Sequence, residues 1–208
     1  MAKSRIILPP SGLIVPPSVT ATSNSVAEAY RRRCQDLHSR LRDLADRVAR
    51  RPVLAYVPSP LQLAAHMDLR PYIFFGGANG LGKTTWLSTD LTWTAEGSHP
   101  FRRNPKPPFT IYAVSNSLEK LCYEEDQLIQ LILCNFPEGH PSGQWSQVGD
   151  WTWKLYTKRG EITLAAKSDA QSIKQVAGGA PPLIGIDEQI KEPYFDEILA
   201  RRARSRGW

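Results

Sequence analysis

An α/β fold, with a mainly parallel sheet flanked by helices, is predicted for this chain of 208 residues. Three observations predict it. Strand-type and helix-type segments alternate from residue 53 onward. A glycine-rich stretch, residues 76–82, lies between an apolar run and a helical one. A second apolar run, Leu183-Ile184-Gly185-Ile186, ends in Asp187-Glu188. Composition agrees, since 41% hydrophobic residues suffice for a real core. The net charge of +6 permits a polyanionic partner without showing one. No run approaches the ~20 apolar residues that cross a bilayer, and Ile6-Ile7-Leu8 is too short for a secretion signal. Cys34, Cys122 and Cys134 have no Cys-x-x-Cys spacing, so neither a disulfide framework nor a zinc site is expected, and a reducing compartment is.

Taken in order, residues 1–24 contain Pro9-Pro10, Pro16-Pro17 and a Ser/Thr-rich stretch without period, which predicts an extended or disordered arm. Ser25-Val26-Ala27-Glu28 fits a capping box. Tyr30, Cys34, Leu37, Leu41, Leu44 and Val48 then form one helical stripe, ended by Arg51-Pro52. Residues 25–51 are therefore expected as an amphipathic helix, with Arg31, Arg32, Arg33, Arg40, Arg42, Arg47 and Arg50 on its other face. The favoured expectation packs this helix on its own domain; the alternative docks it to another subunit or to DNA. Residues 52–208 are expected to form the α/β domain. Its elements are a strand at 72–75, a helix at 83–96, a buried strand at 109–114 and a helix at 118–134. A hairpin around Lys158-Arg159-Gly160, a short strand at 183–186 and a helix at 193–204 follow.

Gly77-Ala78-Asn79-Gly80-Leu81-Gly82-Lys83-Thr84 matches G-x-x-x-x-G-K-[ST] at every fixed position, and Thr85 follows. Glycines let successive backbone N–H groups point at phosphate oxygens. The helix starting here directs its positive dipole end at the same oxygens. Lys83 is expected to bridge the outer phosphates and Thr84 to ligate Mg²⁺ through its hydroxyl. The setting predicts a P-loop NTPase fold.

Asp187 and Glu188 end an apolar strand. A strand beside the phosphate loop would deliver Asp187 to the Mg²⁺ site and leave Glu188 beside an attacking water as general base. Gln62, in Pro60-Leu61-Gln62, is a candidate to read the adenine edge, because its amide both donates and accepts; an ordinary surface Gln at a helix start is the equal alternative. The guanine-binding motifs Asp-x-x-Gly and Asn/Thr-Lys-x-Asp are absent, which favours ATP.

Pro60-Leu61-Gln62, the phosphate loop through Thr85, Glu96-Gly97-Ser98-His99-Pro100 and Ile186-Asp187-Glu188 occur in an order that resembles the large terminase subunits of tailed bacteriophages. The resemblance spans about residues 55 to 205. It implies an ATPase that drives double-stranded DNA into a capsid, works as a homo-oligomeric ring on the capsid portal and meets a small terminase subunit. It also implies the host cell cytoplasm and no membrane. By resemblance Gln62 contacts adenine, residues 77–84 hold phosphates, Asp187 places Mg²⁺ and Glu188 activates water. The family's C-terminal nuclease domain has no counterpart in these 208 residues, and Asn79-Gly80 stands where many members carry an Arg. Another DNA-dependent ATPase of helicase type, or a nucleotide-binding docking module that barely hydrolyses, are the alternatives.

Arg201, Arg202, Arg204 and Arg206 are candidates for a trans-acting arginine, against the favoured reading of a basic helix end. Arg102, Arg103, Lys106, Lys154, Lys158 and Arg159, near Trp151, Trp153 and Tyr156, could hold a DNA backbone. The favoured reading makes those tryptophans core or subunit-contact residues and the cations a solvated rim. His38, His66, His99 and His140 look scattered and receive no role.

Overall fold

A computed structural model describes residues 23–75, 80–123, 126–137, 143–176 and 178–204. The chain divides into two compact units, with the boundary after Leu44. Helix α1 runs Ser23–Arg50, so residues 23 and 24 are helical where the sequence suggested the end of an arm. The rest of that arm lies outside the described residues. Within its own unit the stripe on α1 is uncovered: Tyr30 is 72% exposed and Leu41 61%, with Leu37 and Leu44 also exposed.

The second unit begins with a 3₁₀ turn, Pro52–Ala55, and helix α2, Pro60–Met67. Buried Arg51 anchors the turn, donating to the Asn135 carbonyl and pairing with Glu96. Helix α3 spans Lys83–Glu96 and stops at Gly97, whose φ of 75° suits a residue without Cβ. Strand β1 (Phe109–Ser115) leads to α4 (Leu118–Tyr123) and α5 (Leu128–Leu133). One helix was expected over 118–134; the described residues form two. Strands β2 (Gly143–Gly149), β3 (Thr152–Thr157) and β4 (Gly160–Ser168) follow, then α6 (Ile173–Val176), β5 (Leu183–Ile186) and α7 (Glu192–Arg204). The hairpin turns through Lys158 and Arg159, as the sequence predicts; β2 was not foreseen.

The sheet order is β2-β3-β4-β1-β5. β1 lies parallel to both β4 and β5, whereas β2, β3 and β4 pair antiparallel. The sheet is thus mixed rather than mainly parallel. β1 is covered on both faces, which explains its apolar run Ile111-Tyr112-Ala113-Val114. Ile111 and Ala113 meet Leu91, Leu121, Leu128, Ile129, Ile132 and Phe136 on the α3–α4–α5 side. Tyr112 and Val114 meet Val176 and Ile198 on the α6–α7 side. Fully buried Leu and Ile side chains of this kind contribute about 1.5–3 kcal/mol each.

Residues 72–75 form no strand, contrary to expectation. A strand requires a hydrogen-bonded neighbour. Here β5 bonds to β1 on one side, and among the described residues no strand pairs with its other side. Residues 69–75 and β5 instead line one cavity of about 1040 Å³. Phe74 is 83% exposed.

Candidate functional site

The site gathers at the first turn of α3. Gly82 caps the helix in the left-handed region, with φ of 69°. That backbone conformation favours glycine, and a Cβ there would meet Gln62 Nε2 at 2.8 Å and displace the amide. Gly82 itself supplies no side-chain cap, and the first turn of the helix carries no acidic residue, so its positive dipole end suits an anion. Residues 76–79, and with them Gly77, Ala78 and Asn79 of the predicted loop, lie outside the described residues. Gly80, Leu81, Gly82, Lys83, Thr84 and Thr85 are within them.

Asp187 follows β5 directly, and its N–H extends the ladder to Val114 O at 3.0 Å. Gly185 lets the strand approach α3 closely, since a Cβ there would lie 2.9 Å from Leu91. The result is a contact between residues far apart in sequence: Thr84 Oγ1 donates to Asp187 Oδ1 at 2.9 Å. Burial pushes the Asp187 carboxyl above its ordinary range, and Glu188 pushes the same way; the Thr84 bond and the Lys83 charge oppose them. Glu188 is exposed, with Ser115 Oγ at 3.5 Å from its Oε2, the outer limit of a hydrogen bond. Lys83, Asp187 and Glu188 line the same cavity.

Gln62 reaches this loop from α2, but not as a surface residue, for it is buried. Its Oε1 accepts from Ser59 N at 2.8 Å, closing a capping box, and its Nε2 donates to Gly82 O at 3.0 Å. An amide has two donor hydrogens and two acceptor lone pairs, and among the described residues these bonds use one of each.

Sequence reasoning missed the network two turns down α3. Asp90 Oδ1 accepts from His66 Nδ1 at 2.8 Å and from His99 Nε2 at 3.0 Å, and Oδ2 accepts from Arg102 at 2.8 Å. His99 Nδ1 accepts from the N–H groups of Phe101 and Arg102, which fixes its tautomer. His66 Nε2 lies 3.0 Å from the Tyr56 hydroxyl. Burial alone would push Asp90 up, yet the two histidine bonds and the Arg102 charge outweigh it and hold the acid down at about 2. Burial, with the Asp90 charge, pushes the Tyr56 hydroxyl up to about 12, so it remains a donor.

His66, Asp90 and His99 have the ligand types of a metal site. Direct N–H···O bonds between them, with a guanidinium on the second oxygen, fit a hydrogen-bonded lock joining α2, α3 and the 99–102 loop instead. Two of the histidines that looked scattered in sequence thus share a single cluster; His38 lies on α1, and His140 is outside the described residues. Only the spacing of His99 and Arg102 nine and twelve residues after Asp90 hinted at it.

Other expected sites resolve differently. Arg102 is tied to Asp90 and to the Ala65 carbonyl, not a solvated rim residue. Arg159 donates to Pro105 O and packs on Gly97, and Lys154 pairs with Glu161. Trp153 is a core residue and Trp151 packs against the core, as favoured. Arg201 pairs with Glu197 at 2.6 Å, while Arg202 lines the cavity. The Arg204 side chain and Arg206 lie outside the described residues.

No family model matches the chain, and neither does any curated protein. Its fold is similar to the large terminase ATPase domain of Thermus phage P74-26, with a TM-score of 0.58 at 15% identity over 76% of this chain. An arginine-to-alanine mutant of that domain gives a TM-score of 0.59, again at 15% identity and 76% coverage. The chain spans 65% and 64% of the length of these two solved chains, the mutant first. At this identity the likeness establishes a shared fold. Among the described residues, no helix is long and apolar enough to cross a membrane.

Proposed function

We propose that this chain is the ATP-hydrolysing motor domain of a terminase that moves double-stranded DNA into a viral capsid. The Thr84–Asp187 contact carries this reading, because it joins the end of the predicted phosphate loop to the acidic strand tip. The terminase-like fold supports it. The residues suit Mg²⁺: a hydroxyl and a carboxylate are hard oxygen donors, hydrogen-bonded to each other at 2.9 Å. Thr84 and Asp187 would hold the ion, which would neutralise phosphate charge.

The chain's own groups supply the remainder. N–H groups at the start of α3 and the Lys83 ammonium bind the phosphates of ATP. Gln62 holds the loop through Gly82 and keeps one donor and one acceptor for adenine. Glu188 takes a proton from water as the water oxygen attacks the γ-phosphorus and ADP departs. Its partners on this reading are double-stranded DNA, further copies of the chain in a portal-bound ring, and a small terminase subunit, in the host cytoplasm.

The test is Mg²⁺-dependent ATP turnover by the purified chain. Glu188→Gln is expected to retain ATP binding and lose turnover by roughly 10²–10⁴-fold, the range of general-base catalysis. Equal turnover in this variant would remove Glu188 from the mechanism. ATP binding with negligible turnover at every protein concentration would favour a docking module over a motor.

A further inference from the structure

The ATP site leaves α1 without a role, and the portion of that helix within the unit ending at Leu44 has a pattern of its own. Tyr30, Cys34, Leu37, Leu41 and Leu44 follow one another at four, three, four and three residues. That 3.5-residue average is the seam of a coiled coil, narrower than the stripe of a helix packed on a globular core. The seam is open: Tyr30, Leu37, Leu41 and Leu44 are all exposed and Cys34 partly so. It extends about 21 Å along the helix at 1.5 Å per residue.

No acid stands beside the seam, and its charged neighbours are arginines. With Cys34 and Leu41 at heptad position a, Arg33 and Arg40 occupy position g, and Arg31 and His38 position e. The acids stand away from the seam at positions b and c: Glu28, Asp36 and Asp43. Two of them pair along their own helix, Glu28 with Arg32 at 3.1 Å and Asp36 with Arg40 at 3.9 Å. Both pairs are solvent-exposed and so weakly held.

This arrangement selects against a second copy. In a parallel pair Arg33 would face the other copy's His38. In an antiparallel pair arginines at g would face arginines at g. Neither pairing offers an acid to answer the arginines, and in the antiparallel one their like charges oppose it. A DNA backbone would use the arginines but leave the apolar seam uncovered. We propose that the seam from Tyr30 to Leu44 docks an acidic amphipathic helix of a different protein. Its apolar residues fill the seam, and its Glu or Asp side chains face Arg31, Arg33 and Arg40.

The test uses the full chain and a synthetic amphipathic helix of roughly four heptads, with Leu at a and d and Glu at e and g. A twin peptide with Lys at e and g and a short random-sequence DNA duplex are the controls. The Glu peptide is expected to bind at least ~tenfold more tightly than the Lys peptide, a preference that charge complementarity sets. Leu37→Asp with Leu41→Asp is expected to weaken the Glu peptide by at least ~tenfold, through loss of the seam, while ATP binding stays unchanged. Arg31→Glu, Arg33→Glu and Arg40→Glu together should invert the preference toward the Lys peptide. Absent binding of the Glu peptide, equal affinity for both peptides, or wild-type affinity in the double-Asp variant would overturn the proposal. So would self-association of the chain that the double-Asp variant abolishes. Duplex binding that competes with the Glu peptide yet survives the double-Asp change would overturn it too, and would assign the face to DNA.

Discussion

Two carboxylates, one on α3 and one beside its first turn, have opposite fates. Asp90, on the third turn, accepts from His66, His99 and Arg102 and is held down at about 2. Asp187, beside the first turn, accepts from Thr84, feels Glu188 as a like charge and is pushed up. Both lose water. The difference is the number of donors aimed at each, and it separates a lock from a ligand. A carboxylate whose bonding capacity is filled by the protein fixes helices. One left short of donors retains affinity for a cation or a proton.

The largest effect expected from this comparison is on stability. Asp90→Asn removes the charge that answers Arg102 and at least one acceptor for the histidines. It should cost about 3–5 kcal/mol, the range for breaking a buried pair. The midpoint of chemical unfolding measures it. A loss under about 1 kcal/mol would mean that the network is not a lock.

Acid titration sharpens the contrast. Asp90 sits at about 2 when folded against 3.8 unfolded, so the unfolded chain binds the proton more readily. Its contribution is fully present above pH 3.8 and is lost as pH falls toward 2. By linkage it amounts to about 2–3 kcal/mol at neutral pH. Stability of the wild-type chain should therefore fall through that window, and Asp90→Asn should flatten the slope there.

The smallest effect has the opposite sign. The raised Asp187 favours its protonated form in the folded state, so its contribution is present below the ordinary carboxylate range and is lost as pH rises. Asp187→Asn should leave the unfolding midpoint at neutral pH unchanged or slightly higher, while Mg²⁺-dependent ATP binding falls. A variant that unfolds readily and still binds Mg²⁺·ATP would reverse the roles assigned to the two acids.

Much of the site was legible before any coordinates, because its chemistry depends on local spacing. Gly82, Lys83 and Thr84 stand in a fixed order that a turn into a helix demands, and α3 begins at Lys83. Leu183–Ile186 is apolar and ends in acids, and it is a strand. The lock was illegible because His66, Asp90 and His99 come from three segments, and nothing local distinguishes a histidine bound to a buried carboxylate from one in water. Arg102 misled for the same reason: beside Arg103 and prolines it looks like a surface cation. Residues 72–75 misled in the other direction. Tyr72-Ile73-Phe74-Phe75 has the composition of a strand, but composition does not decide whether a segment takes up the ladder of a neighbouring edge, and here it lines a cavity beside β5 instead.

The sequence by itself determined that α3 starts at Lys83, that Leu183–Ile186 extends, the order of the phosphate loop, and the seam on α1, since each depends on backbone preference and on periodicity along one element. Tertiary structure alone decided that Asp187 meets Thr84 and that two distant histidines share one oxygen of Asp90. Those outcomes depend on which elements pack side by side, and packing is a property of the whole chain that no local window contains.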